Sequence, residues 1–310
     1  MSGSATDPTA GTDSGGGMDC PEVDEILLPQ VPTVQLVVDQ SGSMSEDFGG
    51  ATRWDAMYNT LVGPANGVVT RLQSDVRFGL TLYTGEGPTC PVTSGLSPQL
   101  DAVDEITAAL DATGPSSDTP TGESLVIATQ TLVDDTWEGD KVLLLVTDGE
   151  PDTCAVPNPT TDMERDAARA VAIDAVVAAH DMGIRTFVVS VGTEVAQAHL
   201  QDIANAGVGN GPNDPDAPFY VANNQGELVD AVDEIIAGVR QCSIDLPQPL
   251  TEPLAPSCTV TINDQPIDYN TANGWALDGE MAIVLQGTSC LEIQTGAVAI
   301  QMTCTCEVPS

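Results

Sequence analysis

The chain has 310 residues and a formal net charge of −38, with eight Lys and Arg against 46 Asp and Glu. Gripping nucleic-acid phosphates or an anionic membrane needs clustered basic residues, so both are excluded; Arg240 is the last basic residue in the sequence. With 41% hydrophobic residues, much of that Ala and Val, there is material for a buried core, and no apolar run reaches the roughly 18 residues of a membrane span.

Residues 1 to about 18 are mostly Gly, Ser, Thr, Asp and Pro with almost nothing to bury, so a flexible acidic tether is expected over 1–30. From Thr33 the pattern changes to apolar runs of strand length alternating with longer amphipathic segments. Strands are expected at Thr33–Val38, Arg77–Tyr83, Lys141–Thr147, Arg185–Val191 and Phe219–Val221. Helices are expected at Arg53–Leu72, Pro98–Leu110, Gly122–Val133, Thr161–His180, Val195–Ala206 and Gly226–Arg240. Runs such as Val142–Val146 are apolar at consecutive positions, as in strands covered on both faces. The fold class is therefore α/β, a doubly wound and mostly parallel sheet over 31–241.

Past Arg240 the helical period stops. A Pro-rich linker leads to short alternating runs, CTVTIN, QPIDY, MAIVLQ and AVAIQMTC, which predict a small β domain over 242–310. A module of that size usually needs covalent support, and four of the eight cysteines (Cys258, Cys290, Cys304, Cys306) crowd the last 53 residues. The others are Cys20, Cys90, Cys154 and Cys242. An even number set near Pro, Gly and Thr reads as a disulfide framework, which places the chain in an extracytoplasmic, oxidising compartment, secreted or at the cell surface. The N-terminus lacks the basic and apolar segments of a secretory signal, so an export signal upstream of Met1 is inferred. Cys304-Thr305-Cys306 puts two thiols on one strand face, where separate disulfides to neighbouring strands are favoured over a soft-metal site. Cys90 and Cys154 both follow strands of the sheet and are candidates to pair.

The first strand runs into Asp39-Gln40-Ser41-Gly42-Ser43. In an open parallel sheet ligands bind beyond the carboxyl ends of the strands, and here a carboxylate and two hydroxyls lie on one turn that Gly42 allows to curl. Two more oxygen donors stand at comparable places: Thr119, at the entry to a helix, and Asp148, after the buried strand Lys141–Thr147. Glu150 and Asp152 read as a solvated acidic loop that could alternatively tune the site or hold a second cation. Only His180 and His199 are available as catalytic bases, and both fall in helices, so no base with an orienting partner can be named for Ser41 or Ser43.

Asp-x-Ser-x-Ser, a distant Thr and an Asp after a buried strand, in that order along the chain, closely resemble the von Willebrand factor type A domain and its metal-ion-dependent adhesion site. The resemblance covers about residues 31–241. It implies that Ser41, Ser43 and Thr119 bind a divalent cation directly, while Asp39 and Asp148 act mainly through bound water. Octahedral oxygen coordination suits Mg²⁺ or Mn²⁺ better than Ca²⁺, which prefers more numerous and longer ligands. Neutral hydroxyl ligands leave most of the ion's charge for an outside anion, so the implied partner is a protein presenting an Asp or Glu carboxylate. The net charge opposes such a partner at long range, but salt screens this beyond roughly 8 Å. Termini are often close in this family, which makes a Cys20–Cys242 link plausible. GEPDTCAVPNP and Asn270–Trp275 resemble segments of secreted bacterial surface proteins. The competing readings are a scaffold in which the metal only ties loops together, and a metal-dependent hydrolase.

Overall fold

The structure is a computed structural model that describes residues 24–27, 30–86, 89–295 and 299–304. In chain order its elements are β1 (Asp24–Leu27), β2 (Thr33–Asp39), α1 (Arg53–Val62), α2 (Val68–Leu72), β3 (Arg77–Glu86), β4 (Thr89–Gln99), α3 (Val103–Asp111), α4 (Thr121–Asp134), β5 (Lys141–Thr147), α5 (Asp162–Asp181), β6 (Arg185–Val191), α6 (Gln197–Gly207), β7 (Tyr220–Ala222) and α7 (Gln225–Val239). There follow β8 (Ser243–Asp245), β9 (Cys258–Ile262), β10 (Gln265–Ile267), β11 (Trp275–Asp278), β12 (Ala282–Leu285), α8 (Thr288–Thr295) and β13 (Ile300–Cys304).

One six-stranded sheet, ordered β4-β3-β2-β5-β6-β7, organises the large unit from Pro29 to Cys242. All its neighbours are parallel except β4, which returns antiparallel along β3. The strand sequences explain why both faces are covered. Val34, Leu36 and Val38 of β2 join Val142, Leu144 and Val146 of β5 in a core shared with α1, α2, α3 and α7. Val37 with Leu143 and Leu145 faces the other way, into a core shared with α4, α5 and α6. Consecutive apolar residues thus feed opposite layers, as a period of two requires. Helix starts follow local chemistry: Thr52 with Asp55, and Thr161 with Glu164, form reciprocal capping boxes, and Asn224 caps α7.

Several boundaries differ from expectation. The helix expected over Arg53–Leu72 is two, α1 and α2, because the chain turns at Gly63-Pro64 and restarts at Gly67. The segment expected to begin a helix at Pro98 instead ends strand β4, and α3 starts at Val103. Strand β4 went unanticipated since TCPVTSGLSPQ carries two prolines and no clean alternation, a composition tolerated at a sheet edge.

The smaller unit contains two antiparallel sheets, β1-β13-β9-β10 and β11-β12-β8. Its Val260, Ile262, Ile300, Met302 and Trp275 are buried. Cys258 and Cys304 lie directly opposite on β9 and β13 and are disulfide-bonded. The tether expected through residue 30 is corrected at Asp24–Leu27, which pairs with Ile300–Thr303 as an edge strand. Cys306 and Cys20 lie outside the described residues, and with them the expected Cys20–Cys242 link and the expected second disulfide of β13. Cys242 and Cys290 each take part in a disulfide.

Candidate metal centre

Parallel pairing of β2 with β5 brings the first two parts of the site together. The register runs Thr33 opposite Lys141 through Val38 opposite Val146, so Asp39 and the Thr147-Asp148 pair leave the sheet side by side. Both carboxylates are fully buried. Asp39 Oδ1 accepts the Ser41 backbone N–H at 2.8 Å, which tightens the turn, and Asp39 Oδ2 accepts the Thr147 hydroxyl at 2.7 Å. Ser43 Oγ donates to Asp148 Oδ1 at 2.8 Å and lies 3.0 Å from Ser41 Oγ. Four of the five expected side chains therefore touch within one hydrogen-bonded group.

The third loop is fastened to the first by backbone bonds. Gly42 donates to Ser117 O at 3.1 Å, and Ser116 donates to Gln40 O at 2.7 Å. Thr119 is held from the other side, its N–H donating to Asp152 Oδ2 at 2.8 Å while Asp152 donates its own N–H to Thr119 O at 3.0 Å. Among the described residues the Thr119 hydroxyl makes no hydrogen bond. A methyl built on Gly149 would stand 3.6 Å from Ser43 Oγ and 3.8 Å from Thr119 Oγ1, so these two hydroxyls flank one common space. That small cradle, lined by hydroxyls with two carboxylates behind, has the donor chemistry a hard divalent ion needs. Among the described residues no three His, Cys, Asp or Glu side chains are grouped to hold a metal, so any ion here depends on the hydroxyls.

The electrostatics carry the same implication. Burial, and then the neighbouring Asp148, push the Asp39 carboxyl up to about 7, against the opposing hydrogen bonds from Thr147 and Ser41. Burial also raises Asp148, although Arg53 and Ser43 counter it. Two carboxylates facing each other away from water favour a cation between or beside them.

Several participants were not anticipated. Arg53, the first residue of α1, is 4% exposed. Its Nη1 donates to Asp148 Oδ2 at 2.8 Å, while Nη2 pairs with Glu194 at 2.7 Å and with Glu46 at 3.2 Å. Thr147 is the apolar strand's terminal hydroxyl, a signal visible in LLLVTDG. The loop after Asp148 is also corrected: Asp152 is 7% exposed rather than solvated, and burial, countered by the Thr119 N–H, lifts its carboxyl to about 6. Glu150 is half-buried, pairing with Arg169 and accepting the Ala196 N–H. The expected disulfide Cys90–Cys154 is present and ties the start of β4 to this loop. His180 occupies the last turn of α5 and His199 is buried in α6; neither is hydrogen-bonded to Ser41 or Ser43.

A parallel sheet wound on both faces, with this set of oxygens beyond its central strands, defines a Rossmann-like domain with a candidate ion site at its carboxyl edge. The von Willebrand factor type A domain model matches residues 34–234, and the chain belongs to that family. Among solved structures, the PilB minor pilin from Streptococcus sanguinis is 18% identical, with a TM-score of 0.50, covering 68% of this chain and 62% of the pilin. The pilus adhesin SpaC from Lactobacillus rhamnosus GG is 17% identical, also with a TM-score of 0.50, covering 89% of this chain and 40% of the adhesin. At these identities the likeness is one of fold. The chain thus spans about three fifths of the pilin's length and two fifths of the adhesin's. No curated protein matches the chain by sequence.

Proposed function

We propose that this chain is a divalent-cation-dependent binding module that engages an acidic group of a protein partner outside the cell or at its surface. Ser41, Ser43 and Thr119 would hold Mg²⁺ or Mn²⁺ through hydroxyls, with Asp39 and Asp148 behind them. Bound there, the ion would supply a Lewis-acidic position for a carboxylate oxygen of the partner. The observation that carries the reading is the shared space between the Ser43 and Thr119 hydroxyls, backed by two buried carboxylates.

The rest of the charge distribution supports it. All eight basic residues lie in the described parts and are engaged. Arg53, Arg71, Arg77, Arg165, Arg169 and Arg185 pair with carboxylates, Arg240 faces Asp75, and Lys141 donates to the carbonyls of Leu132 and Asp135. A molecule at −38 has no spare side-chain cation to offer an acidic ligand, so a bound ion is the natural source of attraction. The Cys90–Cys154 and Cys258–Cys304 bonds support an oxidising compartment. A minor pilin and a pilus adhesin with the same fold are consistent with an adhesive rather than enzymatic role, and neither histidine is placed as a base for Ser41 or Ser43. Among the described residues no helix is long and apolar enough to cross a membrane.

The test is titration of Asp- and Glu-containing peptides into the Mg²⁺-loaded chain, with Asp39→Ala as control. Saturable binding that EDTA and Asp39→Ala abolish is expected; binding unaffected by EDTA would contradict the proposal. Metal binding without any peptide binding would instead favour the scaffold reading.

A further inference from the structure

Of the eight basic residues, Arg53 alone points its charge into the candidate metal centre, and its surroundings are built to keep it there. Thr52 and Asp55 set the start of α1 and so the position of Arg53, whose backbone N–H donates to Glu46 O at 3.0 Å. Above the guanidinium the chain passes at Gly192, where φ is +105° and an added Cβ would stand 3.3 Å from Arg53 Nε and Nη2 and 2.5 Å from Glu194 Oε2. Only glycine leaves that space open without backbone strain. The two ends of the guanidinium do different things. Nη1 takes Asp148 Oδ2, leaving Asp148 Oδ1 to face the Ser41 and Ser43 hydroxyls. Nη2 takes Glu46 and Glu194, two solvent-facing carboxylates that would otherwise confront any acidic group approaching this edge.

Resting on the metal-site reading above, we propose that Arg53 is a specificity-determining residue: a built-in cation that lowers the centre's affinity for divalent ions and raises its affinity for carboxylates. The reasoning is one of charge. Without Arg53, a divalent ion beside Asp39 and Asp148 meets two buried negative charges and is formally neutralised by them. With Arg53 bonded to Asp148, one of those charges is already compensated. The ion is then held less tightly, and the loaded centre is one unit more positive than it would be without the guanidinium, which favours an incoming carboxylate even though the exposed Glu46 and Glu194 offset part of that charge. Pinning Glu46 and Glu194 adds to the effect by drawing their charge toward the guanidinium. Arginine suits the task where lysine does not, since its planar fork reaches Asp148 and the glutamates from opposite nitrogens. Arg53 acts on the ligand through Asp148 and the ion, so it is a positioning residue as well as an electrostatic one.

Because a merely structural arginine would weaken everything together, opposite movements of two affinities identify the role. The experiment uses the full chain, Mn²⁺ alone as the ion, with free Mn²⁺ read by electron paramagnetic resonance, and glutarate as the carboxylate probe. Glutarate arrival is read as loss of the water-proton relaxation enhancement of bound Mn²⁺. Arg53→Met is expected to bind Mn²⁺ roughly tenfold tighter or more, and glutarate roughly tenfold more weakly. Arg53→Lys should fall between the wild type and Arg53→Met in both. Glu194→Gln leaves the Arg53–Asp148 pair intact and should bind glutarate more tightly while binding Mn²⁺ slightly more weakly, which keeps the proposal testable if Arg53→Met fails to fold. Parallel weakening of Mn²⁺ and glutarate in Arg53→Met, or unchanged glutarate binding in Glu194→Gln, would overturn it. A wild-type chain that binds no Mn²⁺ would remove the metal-site reading itself, an outcome distinct from either of these.

Discussion

The large unit keeps its polar centre between two apolar layers, whereas the smaller unit has thin sheets and no basic residue with which to pair its acids. In the large unit, Val, Leu and Ile from β2, β3, β5 and β6 and the flanking helices bury each other thoroughly. That reserve tolerates Asp39, Asp148, Arg53 and Thr119 out of water at one sheet edge. Burying unpaired charge costs several kcal/mol per ion, and only a well-packed domain can absorb it. The smaller unit is built of short, thin sheets that bury little, so covalent links carry more of its stability. Its β9 and β13 are joined at directly opposed cysteines. Function-bearing polar burial thus sits where apolar packing is richest.

That contrast can be broken by weakening each unit in its own way. The largest effect is expected from Cys304→Ser, which opens a loop closed over 46 residues and should cost about 4 kcal/mol, enough to melt the smaller unit. Far-ultraviolet and Trp275 signals should lose the smaller unit's transition first, with the large unit's melt little changed. A single transition shifted as a whole would show that the units do not behave separately. Leu144→Ala, in the middle of β5, should reverse the pattern, lowering the large unit's stability by about 3 kcal/mol through transfer and cavity terms. Denaturant midpoints monitored for each unit decide this.

The pH response sharpens the comparison. In EDTA, folded Asp39 keeps its proton up to about 7 while the unfolded chain releases it near 3.8, so the large unit should lose stability as pH rises through that window. Asp152, raised to about 6, acts in the same direction. His199, pushed down to about 4 mainly by burial, acts oppositely between about 4 and 6.5, where only the unfolded chain gains a proton. The Asp39 contribution is isolated by subtracting the melting curves of Asp39→Asn from those of the wild type. The difference should grow between pH 5 and 7 and shrink in saturating Mg²⁺; a pH-independent difference would show that Asp39 does not titrate there. The smallest effect is Thr161→Ala, which removes the N-cap of α5 and should cost about 1 kcal/mol in the large unit alone.

Much of the large unit was legible because its physics is local and repetitive. Lys141–Thr147 and Arg185–Val191 coincide with β5 and β6, and Thr161 announces α5 through its capping box. Strand β4 was hidden because its existence depends on β3 supplying the partner edge, and β1 because its partner β13 lies at the far end of the chain. The break between α1 and α2 did have a signal, Gly63-Pro64, which the apolar period on either side overrode. Within the site, Asp39, Ser41, Ser43, Thr119 and Asp148 were readable as oxygen donors at strand ends. Arg53 was not, for nothing in a helix-opening Thr-Arg-Trp says that the guanidinium turns inward to Asp148. The burial of Asp152 was equally invisible, since it comes from the loop's fastening to Thr119 and to Cys90.

The central claim, that oxygens from three separate loops hold one divalent ion, is tested most directly by calorimetric titration of Mg²⁺ and Mn²⁺ into the EDTA-stripped, buffer-exchanged wild type, Asp148→Ala and Thr119→Ala. The account predicts one ion per wild-type chain and at least a tenfold loss of affinity in each variant, because each removes a donor from a different loop. An absence of binding in the wild type, or a Thr119→Ala chain that binds as tightly as the wild type, would contradict it.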